Sequence, residues 1–197
     1  MKLSLRLLES MGKSSESSQK IVQFILDAAF AQKLKKGEKL YLAGKVEDKV
    51  CYVEKGLLKK YTVDSKGKEY INWLSMEGDF ILLPKSFLRG EINEETVEAL
   101  EDCTIYSMRK GVLFKIMEYN NKICLTMVNE LFNYLCVLQN ICIFLRSMDA
   151  TEKYTFLKSF NPKLVKRLNQ KQLSNFLGID TTYLSKILKN LNETSSV

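Results

Sequence analysis

The spacing of glycines through the first half of the chain constrains the fold more than any other sequence feature. Glycines stand at positions 37, 44, 56, 67, 78 and 90, at intervals of 7 to 12 residues. The runs between them are rich in Val, Ile, Tyr, Trp and Thr, most clearly at 50–53, 57–63, 70–74, 96–100 and 104–108. Short strands separated by turns in this way are typical of an antiparallel sandwich or roll. The DSKG sequence at 64–67 predicts a hairpin turn, and the apolar spacing over 21–29 predicts a short preceding helix.

Two residue counts exclude whole classes of chemistry. The 197 residues include no histidine, so Ser-His-Asp and Cys-His nucleophiles, His-ligated zinc and His-bound haem are impossible. The five cysteines form no Cys-x-x-Cys pair, which predicts free thiols in a reducing cytosol. We therefore expect no catalytic residues, no metal site and no cofactor, and we predict that the protein is not an enzyme.

The sequence predicts no membrane segment. No apolar run approaches the ~18 residues that a spanning helix needs, and the N-terminus lacks the apolar core of a signal peptide. Hydrophobic residues make up 46% of the chain and charged residues 27%, which is ordinary for a globular protein. A cytoplasmic location is the prediction.

Positive charge is concentrated near the C-terminus. Residues 149–197 carry eight Lys or Arg against four Asp or Glu, whereas residues 1–148 carry 22 against 19. Between positions 158 and 189, seven bases accompany one acid, Asp180. Such an excess suits a polyanion such as nucleic acid. A solvated basic face is the alternative, because charge alone does not separate the two.

Residues 112–148 contain no Pro or Gly and are predicted to form one long helix. Their apolar residues advance alternately by four and three positions, which is the spacing of a coiled-coil seam. The seam consists of Cys124, Val128, Leu131, Leu135, Leu138, Cys142 and Leu145. A second row, with Met127, Phe132 and Tyr134, is predicted to pack on the roll while the seam packs on a second subunit. A helix buried wholly within one chain is the alternative.

The segment 169–189 meets the joint requirements of a helix-turn-helix. Ser174 supplies a small residue where the helices touch, Gly178 tolerates the positive φ of the turn, and Asp180 can cap the second helix. The remaining face carries hydroxyl and ammonium groups that can reach bases and phosphates. The predicted DNA-binding residues are Lys171, Thr181, Thr182, Tyr183, Ser185, Lys186 and Lys189. A generic helical hairpin is the alternative.

On these residues the chain resembles the CRP/FNR family of bacterial transcription regulators, the cyclic-AMP-receptor-like proteins. The resemblance rests on the helix-turn-helix and on residues 34–38, 52–56, 78–80 and 98–100, which read LKKGE, YVEKG, GDF and EAL. It implies an α+β protein with an N-terminal antiparallel β-roll at 1–111, a dimerisation helix at 112–148 and a helix-turn-helix domain with a reduced wing at 149–197. The implied partners are double-stranded DNA, a second copy of the chain, RNA polymerase and an unidentified small-molecule effector.

The departures from the family pattern concern the effector. In members that bind cyclic nucleotide, Gly-Glu follows the Gly-Asp/Glu-Phe element and an Arg clamps the phosphate. Here ILLP follows residues 78–80, Asn93 stands near the Arg position, and Glu94 and Glu95 follow it. Carboxylates repel a cyclic phosphate, so we expect neither cyclic AMP nor cyclic GMP to bind appreciably. The oxygen-sensing branch carries an N-terminal cysteine cluster, and the carbon-monoxide-sensing branch needs a haem histidine; this chain has neither.

Two further predictions follow from this comparison. A pocket for an apolar or neutral ligand is predicted from Trp73, Leu82, Leu83, Phe87 and Arg89, with plain core as the alternative for the apolar members. Many relatives carry Arg, Glu and Arg where this chain has Thr181, Thr182 and Lys186, so a different operator is expected. We therefore predict a homodimeric, sequence-specific regulator that does not respond to cyclic AMP. The alternative is a ligand-binding or protein-interaction module that has lost DNA binding.

Overall fold

The computed structural model describes residues 28–119 and 121–194. Its strands are β1 (Phe30–Leu34), β2 (Lys39–Tyr41), β3 (Lys49–Lys55), β4 (Leu58–Val63), β5 (Glu69–Ser75), β6 (Phe80–Ile81), β7 (Thr96–Ala99) and β8 (Cys103–Arg109). Its helices are α1 (Pro84–Arg89), α2 (Lys110–Tyr119), α3 (Asn121–Ser147), α4 (Ala150–Phe160), α5 (Pro162–Arg167), α6 (Gln170–Leu177) and α7 (Thr181–Thr194). The helix predicted over 21–29 falls almost entirely outside the described residues.

The strands form two four-stranded sheets, in the orders β1-β8-β3-β6 and β2-β7-β4-β5. The antiparallel β-roll and the α+β class predicted from the sequence are confirmed. The five predicted strands correspond to β3, β4, β5, β7 and β8. The sequence analysis did not identify β1, β2 and β6 as strands. The residues of β1 do not alternate between apolar and polar, and β2 and β6, with three and two residues, are too short to show a pattern.

The core of the roll lies between the two sheets and draws residues from both. Cys51, Val53 and Ile105 are fully buried at its centre. The Cys51 thiol lies 3.0 Å from the Tyr41 hydroxyl and 3.0 Å from the Ser107 hydroxyl, so this sulfur takes part in a buried polar network. Burial raises the pKa of Cys51, which keeps it a thiol. All five cysteines are free.

A second core cluster joins α1 and α2 to the roll. Phe87 from α1 and Leu113 and Ile116 from α2 pack with Val50 and Met108. The region 112–148, predicted as one helix, contains α2 and α3 on either side of Asn120, which lies outside the described residues. The predicted seam falls entirely within α3.

The described chain divides into two compact units. The first contains the residues up to Thr62 and the range Trp73–Phe132; the second contains Val63–Asn72 and the residues from Asn133 onward. The sequence gives no sign that 63–72 would group with the C-terminal helices. The domain boundaries predicted at residues 111 and 148 stay a prediction. Among the described residues, no helix is both long and apolar enough to cross a membrane.

Gly56 occupies a tight backbone position, and this generates a stability prediction. Its φ is +111°, and an added Cβ would overlap the Cys103 sulfur and lie 2.8 Å from the Cys103 Cα. We expect Gly56→Ala to lower the free energy of unfolding by about 2–5 kcal/mol, since backbone strain and overpacking add. Urea unfolding measures this loss.

Gly67→Ala is the matched control. Its φ of +79° imposes similar backbone strain, but nothing lies within 4 Å of the added Cβ. We expect a loss of about 1–2 kcal/mol from strain alone. Equal losses in the two variants would contradict the proposed clash with Cys103.

Candidate nucleic-acid interface

Helices α6 and α7 form a capped helix pair. Asn169 caps α6 through a capping box with Gln172, in which each side chain accepts a bond from the other residue's backbone N–H. The helix ends at Gly178, whose φ of 68° is left-handed and whose N–H bonds back into α6. The predicted turn glycine therefore lies at the end of the first helix of the pair, and α7 begins three residues later.

The two helices meet at Ser174, the predicted small residue. Ser174 is 2% exposed, and its hydroxyl lies 2.8 Å from that of Thr181 on α7. The apolar contact around it consists of buried side chains from both helices. These are Leu173, Leu177, Leu184 and Ile187. Because this side of α7 is buried, its opposite side is left for other contacts.

Asp180 caps α7. Its Oδ1 accepts hydrogen bonds from the backbone N–H groups of Thr182, at 2.7 Å, and Tyr183, at 3.2 Å. Both bonds lower the pKa of Asp180, because they favour the carboxylate form, and the bond from the Tyr183 N–H has the larger effect. The carboxylate thus fixes the start of the helix that carries most of the predicted DNA-binding residues.

The predicted DNA-binding residues share an exposed surface, with one exception. Lys171, Thr181, Thr182, Tyr183, Lys186 and Lys189 are exposed, whereas Ser185 is half-buried. The Ser185 hydroxyl donates to the Thr181 carbonyl of its own helix, and the Thr181 hydroxyl is bonded to Ser174. Two of the four hydroxyls predicted to read bases are thus engaged within the helix pair. The Thr182 hydroxyl is also bonded to Asp180, and Tyr183 is exposed.

Asn175 on α6 makes a contact that the sequence analysis missed. Its carboxamide accepts a hydrogen bond from the Ile71 N–H and donates one to the Glu69 carbonyl, both at 2.7 Å. All three residues belong to the second compact unit. The hairpin segment 63–72 is therefore bonded directly to the first helix of the pair. An asparagine on an amphipathic helix carries no sequence signal for such a role.

The predicted dimer seam is largely uncovered within one chain. Leu135 is 57% exposed and Leu131 is 56% exposed, which is unusual for leucines on a long helix. Val128, Cys142 and Leu145 are also exposed, while Cys124 and Leu138 are half-buried. In the second row, Phe132 is exposed and Tyr134 half-buried, so Phe132 does not pack on the roll as predicted. The Met127 side chain lies outside the described residues.

The five residues of the predicted ligand pocket do not form one cluster. Leu83 belongs to the core between the sheets, and Phe87 and Leu82 belong to the cluster around α1 and α2. Arg89 is exposed at the end of α1, 3.6 Å from Glu91, and Trp73 is half-buried in β5. Leu82, Leu83 and Phe87 have the core packing that the sequence analysis gave as the alternative.

Asn93 stands near the position where the family resemblance places an Arg. Its side chain is hydrogen-bonded to nearby backbone groups. It is 5% exposed, and its Nδ2 donates to the Leu42 carbonyl at 2.9 Å. Its Oδ1 accepts from the Glu95 N–H at 2.6 Å. The side chain holds the start of β7 against the loop after β2. Among the described residues, no group of three or more Cys, Asp or Glu is placed to hold a metal ion.

Residues 31–120 match the family described as the cyclic nucleotide-binding domain. The match begins in β1 and ends just after α2. No curated protein sequence matches the chain at a significant level.

Three solved structures share the fold of most of this chain. FixK2 from Bradyrhizobium japonicum is 18% identical, with a TM-score of 0.73 over 85% of this chain and 86% of that one. CLP from Xanthomonas campestris, a c-di-GMP-responsive global regulator, is 13% identical, with a TM-score of 0.73 over 89% and 92%. CooA from Carboxydothermus hydrogenoformans is 20% identical, with a TM-score of 0.68 over 95% and 84%. The chain has the CRP/FNR regulator fold.

The Asp180 cap generates a pH-dependent prediction. We expect Asp180→Ala to lower the melting temperature at neutral pH, because two backbone N–H groups lose their acceptor, and Asp180→Asn to lower it less. The pKa of Asp180 is lowered by folding, so the charge contribution is complete above the unfolded pKa of about 3.9. It is lost as the pH falls through the lower folded pKa.

Thermal melts at neutral pH and at about pH 3 check this prediction. The gap in melting temperature between the wild type and Asp180→Ala should narrow at the acidic pH. A gap of constant size would show that the charge of Asp180 contributes nothing to the helix start.

Proposed function

We propose that this protein is a homodimeric, sequence-specific DNA-binding transcription regulator of the CRP/FNR type that does not respond to cyclic AMP. The observation that carries the proposal is the division of α7 into two sides. Leu184 and Ile187 are buried, while Thr182, Tyr183 and Lys186 are exposed on a helix whose start is fixed by a capped turn. Structural neighbours that are transcription regulators support the same role.

The exposed side chains suit DNA in two ways. Lys171, Lys186 and Lys189 supply positive charge for phosphates, a contact that fixes position without reading sequence. Thr182 and Tyr183 carry hydroxyls that can bond base edges in the major groove. Lys lacks the planar fork with which Arg reads guanine, so the operator differs from that of relatives with Arg at these positions.

The exposed seam of α3 supports a homodimer. Val128, Leu135 and Cys142 alternate with Leu131, Leu138 and Leu145 at the spacing of a two-helix coiled coil. Pairing two copies of α3 would remove these side chains from water, and a two-fold dimer would recognise two half-sites one DNA turn apart, about 34 Å. RNA polymerase and an unidentified effector are the further partners that this role implies, and the cytoplasm is the expected location.

Independence from cyclic AMP is supported by two features of the β-roll. Asn93 is buried and bonded to backbone groups, and its neutral carboxamide does not supply the positive charge with which an Arg would hold a phosphate. Arg89, the nearby cation considered as a substitute, is exposed beside Glu91 at the end of α1. Calorimetry that detects low-micromolar affinity for cyclic AMP would contradict this part of the proposal.

DNA binding is tested by selecting bound sequences from a random library and then measuring affinity for the selected operator. We expect a symmetric operator. Lys186→Ala should weaken binding by about 1–3 kcal/mol and relax base preference if Lys186 reads a base. Lys163→Ala, an exposed lysine on α5 outside the helix pair, is the control and should bind as the wild type does. Unchanged affinity and preference in Lys186→Ala would remove Lys186 from the interface.

Dimerisation is tested by a charge on the seam. We expect Leu135→Asp to sediment as a monomer and to lose operator binding, because a carboxylate cannot be buried between two α3 helices without a partner. Asn140→Asp places the same charge at an exposed position of α3 away from the seam and should remain a dimer. Circular dichroism confirms that both variants fold. A stable Leu135→Asp dimer would refute the seam as the interface.

A further inference from the structure

Lys60, a charged residue of β4, points into the β-roll. In the antiparallel pair of β4 and β7, Leu58 lies opposite Ala99 and Lys60 lies opposite Val97. Residues directly opposite one another share a face of the sheet. Leu58, Ala99 and Val97 belong to the core between the two sheets, so Lys60 is on the same inner face.

Lys60 has a carboxylate partner that is held in place. The Lys60 Nζ lies 3.3 Å from Glu95 Oε2, and the two side chains are 14% and 26% exposed. A largely buried ammonium group requires a counter-charge, because removing it from water is costly. Glu95 is positioned by the bond from its N–H to Asn93, which is itself bonded to the Leu42 carbonyl.

The neighbouring lysine forms a second pair on the opposite face of the same strands. Lys59 lies opposite Glu98, with 3.6 Å between Nζ and Oε1. The Tyr61 hydroxyl donates to Glu98 at 3.1 Å, and the Lys59 ammonium lies 4.2 Å from the centre of the Tyr61 ring. Each lysine of this segment therefore has its own carboxylate, and the second pair is a matched control for the first.

We propose that Lys60 is the cation of an anion-binding site inside the β-roll and that the Glu95 carboxylate is its built-in occupant. A carboxylate and a phosphate oxygen are alternative partners for one ammonium group. Because Glu95 is tethered beside Lys60, its effective concentration exceeds that of a dissolved anion, so the wild-type site stays closed to anionic ligands. This inference deepens the proposed independence from cyclic AMP and rests on it. It does not depend on DNA binding.

The experiment removes the negative charge of Glu95. Glu95→Gln keeps the size of the side chain and removes its charge, which leaves Lys60 without a counter-ion. The probes are cyclic AMP and inorganic phosphate, and the measurement is the melting temperature as each is titrated. We expect the melting temperature of Glu95→Gln to rise by roughly 2–4 °C toward saturation, whereas that of the wild type stays unchanged. Glu95→Ala is the second variant should Glu95→Gln fail to fold, and the same rise is expected.

Two controls separate this site from general salt effects. Glu98→Gln removes a carboxylate from the opposite face and should show no rise. The double variant Lys60→Met with Glu95→Gln lacks the cation and should lose the rise. A response to both anions supports a general anion site, and a response to cyclic AMP alone supports one that also contacts the nucleoside.

Two results would overturn the inference: no rise in the folded Glu95 variants, or an equal rise in the double variant. An inert wild type together with inert Glu95 variants would contradict this inference alone. Cyclic AMP binding by the wild type would contradict both the inference and the proposed independence from cyclic AMP. Neither result would alter the tests of DNA binding and dimerisation.

Discussion

The register of β4 against β7 is the constraint on which the charge distribution of the β-roll depends. Side chains alternate between the two faces of a strand, so a shift of one residue would exchange the inner and outer sets. In the observed register Leu58 and Ala99 meet in the core, and Lys59 and Glu98 meet on the other face. A slipped strand would separate each lysine from its carboxylate and bury charges without partners. The ion pairs therefore specify the same alignment that the apolar core requires.

The sequence predicts the regular parts of this structure well. The five runs rich in Val, Ile, Tyr, Trp and Thr correspond to strands, because composition and turn residues are local signals. The capped start of α7 and the glycine at the end of α6 were also predictable, since each depends on one residue type at one position. β1, β2 and β6 were missed because these strands show no alternating pattern of their own and are defined by the strands they pair with.

Contacts between distant residues were not predictable in this way. No sequence feature indicates that Glu98 pairs with Lys59 across two strands. Lys60, Glu95 and Asn175 act through partners that only the folded chain brings near. The residues predicted to form a ligand pocket do not share one environment; they are Trp73, Leu82, Leu83, Phe87 and Arg89. Apolar side chains are required in every hydrophobic core, and the residue type does not indicate which core a side chain joins.

Burial divides the described helices in a way that fits a regulator. On α7 the apolar side is covered, and most of the hydroxyl and lysine side is exposed. On α3 the opposite holds, since several leucines face water. The proposed pairing of α3 with a second copy would remove much of this apolar surface from water.

The pairing of Asn175 with β5 has a consequence for solubility. β5 is the last strand of its sheet, and the backbone groups along such an edge can recruit a strand from another molecule. The carboxamide of Asn175 occupies the N–H of Ile71 and the carbonyl of Glu69 as a neighbouring peptide group would. One side chain thereby blocks part of this edge strand from pairing with a strand of another molecule.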